Sequence, residues 1–198
     1  MQALLEASSR CPPAPPLVRI AGSKLVLART GTAAQVRDLG PLELLPRPWL
    51  PHTCHPTLLQ DLLLWLDSVA GWLNHDYTWK IARPIPDCWP AHPHIVHELA
   101  VVAWLRLVAE DALDPGPLED WHRYALPAFY NRLTERLGNT CATKHEDWPG
   151  APRHASHTAA EAVDARQDVF DQLVTAQQRA WELAGRDDPG EQLQLPTT

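Results

Sequence analysis

Positive charge is scarce in this 198-residue chain. It holds three lysines, and its formal net charge is −7. The deficit is uneven. Residues 1–50 carry six basic and three acidic side chains, whereas residues 51–114 carry three and eight. Residues 115–150 carry four and five, and residues 151–198 carry four and eight. A nucleic-acid surface must neutralise phosphate. The body of the chain is therefore unsuited to that role, and only the first 50 residues offer a weak basic segment for DNA. Long apolar runs are also missing. The most apolar stretch, LLQDLLLWLDSVAGWL, is broken by Asp61 and Asp67, so no membrane crossing is expected. The opening MQALLEASSRCPPAPP lacks the basic start and long apolar stretch of a signal peptide. The expectation is a cytoplasmic protein with no membrane partner.

Several catalytic signatures are absent too. There is no Gly-x-Ser-x-Gly elbow. Gly22, Gly31 and Gly40 are too scattered for a phosphate-cradling loop. No nucleophile constellation stands out, no internal repeat is visible, and the reading leans away from an enzyme. Cysteine is limited to Cys11, Cys54, Cys88 and Cys141. In a cytoplasmic chain these are thiols or ligands before they are disulfides.

What the chain does have is apolar residues at 45%, nine tryptophans and twenty prolines. This is a globular composition with a real core. Residues 1–56 read as an N-terminal extension. CPPAPP is a stiff lead-in, and PLVRIAGSKLVLART reads as a β-hairpin, two apolar β-rich runs around Ala-Gly-Ser-Lys. Five prolines in 40–56 make a linker or an extended wrap. Residues 57–150 read as a helical core. Thr57 and Gln60 have capping-box spacing. Leu58, Leu62, Trp65, Leu66, Val69 and Leu73 then keep helical spacing over 58–74. A proline-rich loop over 81–93 leads to a helix over 93–112, with Ile95, Leu99 and Val102 on one face.

Asp-Pro-Gly-Pro then turns the chain into a helix over 118–137, kinked or split at Pro127 and stopped at Gly138. The short connection predicts an antiparallel helix pair. Residues 139–157 read as a loop. Residues 151–198 hold a long C-terminal helix from Thr158 to Ala184, ended by Gly185, and a polar tail. The fold class is mainly α: a small helical bundle with a short N-terminal β-hairpin and a long C-terminal helix.

The candidate site lies in CWPAHPHIVH. Cys88 and His92 form a Cys-x3-His pair, and Cys141 and His145 form a second. Two thiolates and two imidazoles suit one tetrahedral structural zinc. An antiparallel helix pair would bring the two loops together. The plainer alternative is incidental pairing, with buried thiols beside helix-start histidines. A third reading is a three-nitrogen hydrolase site from His92, His94 and His97 with Glu98 nearby, although the second histidine of His-Glu-x-x-His is absent. His154 and His157 read as a solvated loop pair.

The stretch from Cys88 to His145 resembles an uncharacterised actinobacterial Trp-rich domain-of-unknown-function family found on plasmids, phages and integrative elements. That pattern has a Cys and Trp before a His-Pro-Glu-Ala-like helix start, a helix with Leu and Trp, a second Trp-bearing helix, and a Cys with a His soon after; this chain has His94 and Ile95 in place of the Glu and Ala. Here these fall at Cys88, Trp89, His92, Pro93, Trp104, Trp121, Cys141 and His145. The resemblance covers about residues 58–150. The family has no established activity, so it implies a mobile-element accessory protein and nothing chemical. The combined expectation is a non-enzymatic protein with a protein partner and structural zinc as its cofactor.

Overall fold

Prolines set most of the helix starts. A proline lacks the N–H that the first turn of a helix cannot satisfy, and its fixed φ suits that position. In the computed structural model, which describes residues 10–78, 84–138, 140–141 and 143–183, α1 (Pro16–Thr30), α3 (Pro56–Asp76) and α4 (Pro93–Glu110) all begin on one. Between them lie the short α2 (Ala33–Asp38) and single 3-10 turns at Leu42–Leu44, Pro51–Thr53 and Trp89–Ala91. After α4 come α5 (Gly116–Asp120), a π turn at Trp121–Ala125, and α6 (Leu126–Leu137). The chain divides into two compact units, Met1–Glu146 and Asp147–Thr198. The second unit holds α7 (Ala151–Thr158) and α8 (Ala160–Leu183). Among the described residues there is no strand, and no helix is long and apolar enough to cross a membrane.

The mainly α class holds, but the N-terminal β-hairpin does not. Residues 16–30 are the helix α1. Their apolar residues also fit a helical face: Val18, at 0% exposure, Ala21 and Gly22 are buried together. Gly22 serves close packing here and makes no turn. A Cβ at Gly22 would lie 2.5 Å from the Trp104 ring on α4. Ser23 turns its hydroxyl back to the Arg19 carbonyl at 3.0 Å, which keeps a turn-forming residue inside the helix.

α3 buries the face that its spacing predicts: Leu58, Leu62, Trp65, Leu66, Val69 and Leu73. Its cap differs from expectation. The His55 side chain, one residue ahead of Pro56, accepts from the Leu58 N–H at 3.3 Å, so the Thr57–Gln60 capping box is not the one used. The proline-rich 40–56 stretch is a wrap. Pro48 is fully buried, Trp49 meets Trp104 at 5.1 Å, and the Thr53 hydroxyl accepts from the Arg47 N–H at 2.8 Å.

α4 and α6 run antiparallel. Glu98 near the start of α4 pairs with Arg132, at 2.7 Å, and with Arg136 near the end of α6. The π turn lies just ahead of Pro127. The pyrrolidine ring clashes with the carbonyl four residues back in an α-helix, and a π turn there takes up the extra residue. Trp121, on the same turn, donates to the Val102 carbonyl at 2.9 Å. Arg106 of α4 points inward, its guanidinium 5.8 Å from the Trp72 ring and 5.6 Å from the Trp121 ring. In the second unit, His154 and His157 lie in the helix α7 rather than in a loop. The predicted stop at Gly185 and the polar tail fall outside the described residues.

Candidate metal centre

Three of the four predicted ligands, Cys88, His92 and Cys141, are each positioned by a local device. Cys88 opens the single turn Trp89–Ala91. That turn is anchored by Trp89, which is 3% exposed and donates its indole N–H to Asp67 of α3 at 3.2 Å. The chain is held just upstream by Asn74. Its side-chain amide donates to the Ile85 carbonyl at 2.9 Å, and its carbonyl accepts from the Ile85 N–H at 2.8 Å. His92 follows as the residue before Pro93, at the start of α4, with its N–H on the Trp89 carbonyl at 3.1 Å.

The other pair comes from beyond α6. Gly138, at φ +53°, stops that helix and sends its N–H to the Thr134 carbonyl at 3.0 Å. Cys141 then takes φ +60°, a left-handed conformation that a side chain rarely adopts. The Glu146 N–H donates to its sulfur at 3.3 Å. Strained backbone of this kind marks a position fixed by something other than local preference.

Cys88, His92, Cys141 and His145 come together, with ligand atoms all within 4.8 Å of one another. The His92 Nε2 lies 3.4 Å from the Cys88 sulfur and 3.3 Å from the Cys141 sulfur. The His145 Nδ1 lies 3.9 Å from the Cys141 sulfur. A zinc tetrahedron with ordinary Zn–S and Zn–N bonds has edges of about 3.3–3.8 Å, close to these three sulfur–nitrogen separations. Hydrogen bonding alone accounts for the cluster less well. One imidazole nitrogen has either a proton or a lone pair to offer, and here it faces two sulfurs. Both thiols and both rings gain from a single shared cation.

The electrostatics of the cysteine and histidine sides differ. Burial pushes the Cys88 thiol above its ordinary range, and the neighbouring Cys141 adds to the rise. Without a cation the thiol keeps its proton, and with one it is a thiolate. Burial lowers His92, helped by the nearby His145 and His94. A lowered imidazole is neutral at physiological pH, which is the form that binds metal.

The three-histidine cluster is not assembled. His92 faces the two cysteines, while His97 lies beside His52, with ring centroids 6.2 Å apart. The His94 ring is 5.8 Å from that of His92, and its buried Nε2 has no hydrogen-bond partner. Among the described residues the metal-type group is Cys88, His92, Cys141 and His145, without His94, His97 or Glu98. Glu98 serves Arg132 and Arg136 instead. Asn74 and Asp67, which fix the Cys88 turn, carry no mark in the sequence, because their partners lie far along the chain.

Compared with known proteins, the chain matches no family model, no curated protein and no solved structure. The site is therefore read from its own geometry.

Proposed function

We propose that this is a non-enzymatic interaction protein whose helical core is clamped by one structural zinc ion on Cys88, His92, Cys141 and His145. The observation that carries this reading is the convergence of two sulfurs and two imidazoles within 4.8 Å. Four protein ligands complete a tetrahedral shell, whereas catalytic zinc keeps one position for water or substrate. The clamp ties the segment before α4 to the segment after α6. It acts in parallel with the Glu98–Arg132–Arg136 ion pairs between the same two helices.

A protein partner is supported by the second unit. No residue of α8 is buried, and Val163, Phe170, Leu173 and Val174 stand 45–63% exposed at helical spacing. A role as a mobile-element accessory protein rests on the sequence resemblance alone. DNA association through the basic N-terminal segment has weaker support, since Arg19 of α1 lies 3.9 Å from Asp111.

The test is metal content by elemental analysis of untagged protein purified without chelator. The expected result is one zinc per chain in wild type and none in Cys88→Ser or Cys141→Ser. A metal-free wild type that is fully folded would overturn the zinc reading. Metal content unchanged in both variants would place the ion elsewhere.

A further inference from the structure

We propose that Cys88 and Cys141 are an oxidisable pair, joined in a disulfide by two-electron oxidation that ends metal binding at this site. The loss of metal rests on the zinc reading above, while the pairing rests on geometry alone. The two sulfurs lie within 4.8 Å of each other. Both line an open cavity of about 420 Å³, together with Asp87, Thr134 and Lys144. A space of that size admits a peroxide, which is little larger than water.

The remaining thiols lie outside the Cys88–Cys141 group. Cys11 is buried, and burial pushes its thiol up to about 11. Cys54 sits partly buried, with its sulfur 3.9 Å from the Arg47 carbonyl. A disulfide requires an S–S distance of about 2.05 Å, so the pair must close. Neither residue is held inside an α-helix. Cys88 begins a single turn and Cys141 lies in the turn after Gly138, so side-chain rotation and a shift of that turn supply the movement.

The chemistry balances with hydrogen peroxide as oxidant. One sulfur attacks a peroxide oxygen, the O–O bond breaks, and water leaves once the departing oxygen is protonated. The sulfenic acid formed is attacked by the second sulfur. The S–S bond forms, the S–O bond breaks, and a second water leaves. Two electrons pass from the sulfurs to the peroxide; in the metal-free protein the two thiol protons end in the two waters, and in the zinc-loaded protein solvent supplies two protons and the zinc leaves as the free dication. A disulfide has no thiolate to offer. His92 and His145 then remain as two neutral ligands of the four that a structural site uses.

The experiment treats full-length reduced protein, metal-free and zinc-loaded, with hydrogen peroxide. It maps linked peptides after digestion without reductant and measures zinc uptake before and after. The expected result is a Cys88–Cys141 peptide lighter by two hydrogens than its separate parts. Zinc affinity should fall by more than about tenfold and return on thiol reduction. Linkage through Cys54 or Cys11, sulfinic acid without a link, or unchanged zinc uptake by the linked chain would each overturn the proposal. If the reduced protein takes up no zinc, the zinc reading and the loss of metal fail together. The peptide map then decides the pairing by itself.

Discussion

Gly22 and Trp104 show how much one position decides. α1 approaches α4 so closely at this point that a methyl group at residue 22 would sit 2.5 Å from the indole. Trp104 cannot swing away freely, because Trp49 packs on its ring at 5.1 Å. Gly22→Ala should therefore destabilise the protein by about 1–3 kcal/mol through overpacking, despite alanine's better helix propensity. Chemical denaturation would read this as a lower midpoint with an unchanged slope. An alanine variant as stable as wild type would mean that α1 is not held so tightly. Cys11 allows a second test at the same scale. Its buried thiol is raised to about 11, so it stays protonated at pH 8, where a free thiol is partly ionised. Alkylation of the native protein at pH 8 should leave Cys11 unmodified until denaturant is added, as peptide mass mapping would show.

At the scale of elements, Asn74 closes the end of α3 against the Cys88 segment. Its side chain meets both backbone groups of Ile85, which is itself buried. Asn74→Ala leaves an N–H and a carbonyl without partners, a loss of about 2 kcal/mol. Because the same clamp orients the turn that carries Cys88, zinc affinity should fall as well, whereas a variant at an exposed site of α8 would leave it unchanged. Competition with a chromophoric chelator separates the two cases. Legibility divides at the same scale. α3, α4 and α6 are readable because their apolar residues recur at helical spacing and their ends carry Pro or Gly. α1 is misread because Val18, Ile20 and Val26 are β-branched, and Ala-Gly-Ser-Lys has turn composition. Tertiary packing of Gly22 on Trp104 overrides both signals. The Cys88, His92, Cys141 and His145 group is legible from its two Cys-x3-His spacings once the helix pair is antiparallel. The Asn74 and Trp89 supports were not, since no local pattern marks a contact between distant segments.

For the whole molecule, the buried residues are a decisive guide. The hydrophobic core runs from Cys11 to Leu137 and draws on α1, α3, α4, the π turn and α6. Neither α7 nor α8 contributes a buried residue. Hydrophobic burial is the main favourable term in folding, so stability resides in the first unit, Met1–Glu146. That unit also contains the four Cys and His residues proposed to hold zinc, on segments separated in sequence by α4, α5 and α6. An ion bound to them only in the folded chain would add its binding energy to folding. A chain ending at residue 146 should therefore keep its helical circular-dichroism signature and its zinc, and should melt within a few degrees of the full protein. Chelation should lower the melting temperature of both forms by the same amount. A truncated chain that lost zinc or melted far below the full protein would show that residues beyond 146 stabilise the first unit.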